Sequence, residues 1–128
     1  MKRLVTALVF VVVTSVSALA QSLPVPSYWT NQRGSEMKLY NLDSLGVFHG
    51  VYINHAQGFA CQNTPFALNG RVTGDRLLFT VVWNNGIQNC NSKTVWQGKV
   101  VGRTIDTHWV LYTPNGNQSG TDIFQQQW

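Results

Sequence analysis

Acidic residues are scarce in this chain: Asp and Glu number five in 128 residues, against nine Lys and Arg. They are Glu36, Asp43, Asp75, Asp106 and Asp122. A glycosidase places two carboxylates across one bond, and only Asp122 falls on a candidate interior face. Histidine is equally thin. His49, His55 and His108 are scattered, whereas a structural zinc site groups four N or S donors. Ser35 and Ser92 have no evident His–Asp partners, and His108 points outward by alternation, so no nucleophilic machinery is visible. The chain reads as a non-enzyme. There is no basic cluster of the kind that tracks nucleic acid. Beyond the N-terminus no segment keeps a 3.6-residue apolar period, which excludes a helical domain.

What is present begins with a leader. Lys2-Arg3 precede an apolar run, Leu4 to Val13, and Ser15-Val16-Ser17-Ala18-Leu19-Ala20 follows with small residues placed for cleavage after Ala20. This is the pattern of a secretory signal peptide, residues 1–20. The run is too short for a comfortable membrane helix. The protein is therefore expected to be secreted or periplasmic, with a mature part from Gln21 to Trp128. Only two cysteines remain, Cys61 and Cys90. An even count in an oxidising compartment favours a disulfide over a metal pair, and no metal is expected.

The mature part alternates with period two. Strands are expected at Tyr28–Asn31, Ser35–Tyr40, Val47–His55, Phe66–Thr73, Leu77–Trp83, Thr94–Val101, Thr104–Tyr112 and Thr121–Trp128. Turn chemistry separates them at Gln32-Arg33-Gly34, Asn41–Gly46, Gly74-Asp75 and Gly102-Arg103. Longer loops are expected at Ala56–Pro65, after Trp83, and over Thr113–Gly120. Eight sequential strands left open would expose two edges, and closure removes them. The expected fold is all-β, an eight-stranded antiparallel up-and-down barrel, a size that holds side chains or one small ligand.

One face of each strand then points inward: Trp29, Asn31, Ser35, Met37, Leu39, Tyr52, Asn54, Phe79, Trp83, Thr94, Trp96, Trp109, Asp122 and Phe124. The polar members fall at strand ends that share one mouth, with Asp122 opening the last strand. Aromatic walls with a few placed polar groups describe a small-molecule pocket. Buried polar groups cost stability unless paired, so they either meet a ligand or satisfy one another.

Several blocks carry a resemblance: Trp29-Thr-Asn31-Gln-Arg-Gly34-Ser35, Gly50-Val-Tyr52, Trp83-Asn-Asn, Asn91-Ser92-Lys-Thr94-Val-Trp96, Thr107-His-Trp109 and Gly120-Thr-Asp122-Ile-Phe124. In order and spacing they resemble the avidin and streptavidin family. Ala56-Gln57-Gly58-Phe-Ala-Cys61 and Asn89-Cys90-Asn91-Ser92 are similar to the rhizavidin-like bacterial dimeric avidins, in which a disulfide joins the equivalent loops. The resemblance implies biotin as ligand and no cofactor. It implies Asn31, Ser35 and Tyr52 around the ureido oxygen, and Asp122 and Asn54 as acceptors for the ureido N–H groups. Thr94 would meet the ring sulfur, and Trp83, Trp96 and Trp109 would wall the rings. Ser92 and the loop of Ala56, Gln57 and Gly58 would meet the tail. The family's tetramers carry a further Trp before the last strand. Thr113–Gly120 has none, which implies a homodimer. The main alternative is a lipocalin-like exported carrier of another small molecule. An outer-membrane barrel is disfavoured by strands mostly shorter than ~9–11 residues and by Glu36, Lys38, His49, Arg71, Lys93, Gln97 and Lys99 on outer faces. Neither nucleic acid nor membrane is an expected partner.

Overall fold

A computed structural model describes residues 2–13 and 23–128. The expected cleavage site lies outside the described residues. Residues 2–13 have no regular secondary structure and are exposed along their length.

Eight strands follow: β1 (Ser27–Asn31), β2 (Glu36–Leu42), β3 (Val47–Ile53), β4 (Pro65–Thr73), β5 (Arg76–Asn84), β6 (Asn89–Val101), β7 (Thr104–Thr113) and β8 (Gly116–Gln126). Each pairs antiparallel with the next, and β8 pairs with β1, which closes the barrel. The closure continues past the ladder, where Tyr28 N–H donates to the Trp128 carbonyl, the Tyr28 carbonyl accepts from Gln127 N–H, and the Tyr28 and Trp128 rings stack at 5.8 Å. Every residue assigned inward by alternation is buried. The pleat sends successive side chains to opposite faces, so one apolar face specifies the register of the whole strand. Phe48, Phe66, Phe79 and Phe124 fill the centre, with Trp96 stacked on Phe79 at 4.9 Å. Leu23, in the segment that precedes β1, also joins this core at 2% exposure.

Two expected loops are shorter than expected, with part of each taken into a strand. β8 begins at Gly116, not Thr121, and turns from β7 through only Pro114 and Asn115. Asp122 therefore lies inside β8 rather than opening it. Asn117, Gln118 and Ser119 have turn composition, but β7 offers a continuing ladder and pairing overrides propensity. β6 likewise begins at Asn89, which pairs with Asn84 across an irregularity at Trp83. That bulge re-aims the strand beside the cavity. At the other boundary β3 stops at Ile53, so Asn54 and His55 lie just past its end. Five strands reach nine residues or more, which removes strand length as an objection to a membrane barrel. The outer polar residues remain: His49, Arg71, Lys93, Gln97 and Lys99 are exposed, and Glu36 and Lys38 partly so.

Candidate functional site

The β1–β2 turn builds the floor of one barrel end. Asn31 Oδ1 accepts from the backbone N–H of Arg33 and of Ser35, both at 3.0 Å. Gly34 completes the turn with φ +83°, a conformation that a side chain would strain. The turn brings two polar residues inward four positions apart. Asn31 Nδ2 donates to the Tyr52 hydroxyl at 3.2 Å, and Ser35 Oγ donates to Asn54 Oδ1 at 3.3 Å. Ser35 Oγ in turn accepts from His55 N–H at 3.0 Å. Burial first, and then the Asp122 carboxylate, push the Tyr52 phenol up, so it remains a neutral donor.

Beside this network is a cavity of ≈ 180 Å³, well beyond the ~10–15 Å³ that one water needs. Its apolar walls are Trp83, Trp96, Trp109, Phe59 and Leu111. Its polar groups include Tyr52, Asn54, Ser92, Thr94 and Asp122. Trp83 Nε1 donates to Thr94 Oγ1 at 2.8 Å, which leaves the Thr94 hydrogen available to donate. Ser92 and Cys90 reach the cavity because they share the inward face of the extended β6 with Thr94.

Asp122 is 3% exposed and well partnered. Its Oδ2 accepts from Trp96 Nε1 at 2.9 Å. Its Oδ1 accepts from Gln32 Nε2 and Arg33 Nε, each at 3.0 Å. A carboxylate offers about four acceptor positions, so one remains on Oδ2. Most interior polar groups thus satisfy one another. The buried side-chain N or O atom without a partner among the described residues is Trp109 Nε1, in a cavity wall.

The loop after β3 arches over this end and is braced internally. Asn54 Oδ1 accepts from Ala56 N–H, and Asn54 Nδ2 donates to the Ala60 carbonyl at 3.0 Å. Gln62 Nε2 donates to the carbonyls of Ala56 and Phe59. The Cys61–Cys90 disulfide ties the loop to β6.

Of the residues read from sequence, Tyr52, Asn54, Ala56, Trp83, Ser92, Thr94, Trp96, Trp109 and Asp122 line the cavity. Asn31 and Ser35 stand behind it, joined through Tyr52 and Asn54. Gln57 and Gly58 do not line it; they are exposed at the loop tip, and Phe59 and Ala60 take their place. Arg33 and Phe59 are lining residues that alternation could not find, because turns and loops have no period.

The sequence profile of the avidin family matches residues 20–127. The chain belongs to the avidin family. It is 41% identical to afifavidin from Afifella pfennigii over 117 residues, covering 84% of this chain and 73% of that protein. Among avidin structures, rhizavidin in its biotin complex is 43% identical with a TM-score of 0.75, covering 80% of this chain and 92% of that one. Apo shwanavidin is 37% identical with a TM-score of 0.79, covering 84% of this chain and all of that one. As in the family pattern read from sequence, this avidin carries its aromatic walls and its interior carboxylate in one barrel end.

Proposed function

We propose that this avidin binds biotin, without catalysis, in the cavity between Tyr52 and Trp109. The observation that carries the reading is the convergence of donors and acceptors at one aromatic-walled end, in a chain of this family. Asn31, Ser35 and Tyr52 supply donors that would meet the ureido oxygen. Preorganised donors stabilise partial negative charge there without reorganising on binding. Ser35 now donates to Asn54 Oδ1. Turning that hydrogen to the ureido oxygen releases an acceptor position on Asn54 for one ureido N–H. Asp122 Oδ2 has a position for the other. Thr94 would donate to the sulfur, and Trp83, Trp96 and Trp109 would enclose the rings. Ser92, Ala56 and the loop carrying Gln57 and Gly58 would meet the tail. A lipocalin-like carrier is not favoured, because the family match spans residues 20–127.

Calorimetric titration with biotin tests the reading. A one-to-one saturable heat, with a ligand-dependent rise in Tm, is expected. No heat and no shift would overturn it.

Two further readings belong here. Export through cleavage after Ala20 is supported by an exposed apolar run at residues 2–13 and by a family match that begins at residue 20. A homodimer is supported by two exposed apolar side chains on the outer face, Val82 of β5 and Tyr112 of β7, on either side of Lys93 in adjacent strands. Val82 is 57% exposed and Tyr112 39%.

A further inference from the structure

Arg33 sits in the turn between Asn31 and Ser35, and its side chain lies across the cavity mouth. Nε pairs with Asp122 Oδ1 at 3.0 Å. The guanidinium carbon lies 5.8 Å from the Trp109 ring centre and 5.9 Å from that of Phe59. Phe59 and Trp109 meet edge to face at 5.9 Å, so the three groups form one cluster. The Gly120 backbone packs so closely on the Trp109 indole that a Cβ there would come within 2.5 Å of Cζ2. One side of the indole is thus covered by the barrel wall, and the guanidinium is over the ring from the cavity that both residues line.

We infer that Arg33 is a gate: it holds the ground between Asp122 and Trp109 that a bound ring must take, and it swings into solvent when ligand enters. This rests on the biotin-binding reading above and deepens it. The gate is held at one point, the ion pair to Asp122. The Arg33 side chain is 37% exposed, and its terminal nitrogens have no hydrogen-bond acceptor among the described residues. Leaving costs one Nε bond and two ring contacts. Asp122 loses its counter-charge when Arg33 departs and keeps only the neutral donors Gln32 and Trp96, so the charge pairing sets the cost of opening and makes the closed form the major one. A cation over an aromatic face is worth little when exposed to water, and a neutral ring that buries the indole competes well with it. The competition has a definite consequence. If the open form is ~10% of the population, apparent affinity is reduced about tenfold by the need to open.

The test compares the parent, Arg33→Ala and Arg33→Lys in stopped-flow biotin association and in dissociation by competition. A gate predicts association about tenfold faster in Arg33→Ala, with tighter binding. Arg33→Lys should fall between, since it keeps the charge but lacks the planar Nε contact. Slower or unchanged association, or faster dissociation that weakens binding, would overturn the gate and make Arg33 a clamp or a bystander. A second measurement needs no biotin. Acrylamide quenching of tryptophan should rise in Arg33→Ala, and the rise should vanish in a Trp109→Phe background. Equal quenching in parent and Arg33→Ala would also overturn the gate. If neither parent nor Arg33→Ala binds biotin, the biotin reading falls, and quenching alone decides whether Arg33 closes the cavity.

Discussion

At the scale of single residues, the site is a matter of which hydrogen-bonding valences are already used. Asp122 has one position remaining on Oδ2, beside Trp96 Nε1. Asp122→Asn should weaken biotin binding by about 1.5–3 kcal/mol, the usual worth of a hydrogen bond to a charged group. Because that substitution also releases Arg33, calorimetry in the Arg33→Ala background isolates the loss; an unchanged affinity there would remove Asp122 from the site. Trp109→Ala should cost ~3 kcal/mol or more in binding, as a desolvated aromatic wall does. Trp109→Phe, which spares the fold, should lose less but a measurable amount by the same titration. His55 supplies a pH dependence. Its Nε2 pairs with Glu36 Oε2 at 2.9 Å and its Nδ1 with Asn63 Oδ1 at 2.8 Å. The Glu36 bond raises the His55 pKa, aided by Asn63 against the opposing effect of burial. The Tyr28 hydroxyl first, then His55, lowers the Glu36 pKa, and the same bond pushes the Tyr28 phenol up to about 12. A raised His contributes stability that is full below its unfolded value, 6.5, and is lost as pH climbs through the folded value. The lowered Glu36 contributes above 4.5 and is lost as pH falls through its folded value. The pair therefore helps most between those two limits. In thermal melts, the Tm advantage of the parent over His55→Gln should shrink as pH rises above 6.5. Both side chains are partly exposed, so solvent screening keeps the effect modest. A constant Tm difference across that range would show that the ion pair does not contribute.

At the scale of elements, the loop after β3 is the piece that shapes the mouth. It contributes Ala56, Phe59 and Ala60 to the cavity, and Cys61 fastens it to Cys90 on β6. The loop closed by the bridge corresponds to ~3–4 kcal/mol in the chain-entropy model. Much of that is redundant, because β4 and β5 already order the intervening chain. The larger effect belongs to the mouth, since a preorganised loop loses less entropy on binding. Reduction should speed biotin dissociation more than it lowers the Tm of ligand-free protein. Dissociation rates measured with and without reductant check this, and identical rates would leave the bridge as a fold staple. β6 makes the same point from the other side. Its first residues read as an Asn-rich loop, yet pairing with β5 extends the strand and turns Cys90 and Ser92 inward.

At the scale of the whole molecule, the outer faces of β5 to β7 are not uniformly polar. Leu78, Val82, Val101 and Tyr112 are all exposed there. A homodimer that buries Val82 and Tyr112 should sediment as two chains, and Val82→Glu should shift it toward one chain by placing a charge in an apolar contact. An unaltered dimer in Val82→Glu would move the interface elsewhere. Closure is visible in the pairing. β1 is short, but its ladder to β8 and the Tyr28–Trp128 contacts beyond it leave no open edge.

Much of this architecture is local and therefore legible in the chain. Period-two alternation follows from the pleat, so Trp29, Tyr52, Trp83, Trp96, Trp109 and Asp122 could be assigned inward one strand at a time. With two cysteines in all, a disulfide could join only one pair. Strand limits were less legible where Asn, Gln and Ser lie in a ladder, as at Asn117–Ser119, because a neighbouring strand decides their state. Arg33 was the larger omission. The one hint was chemical: an interior carboxylate needs a counter-charge, and the cation nearest the mouth is Arg33. What only the tertiary structure decided is the set of partners. Gln32 and Arg33 meet Asp122 across some 90 positions of sequence. Ser35 spends its hydrogen on Asn54, and Phe59 reaches Trp109. Periodicity is a property of one strand, whereas a hydrogen bond or a ring contact depends on where barrel closure brings two strands and their loops together.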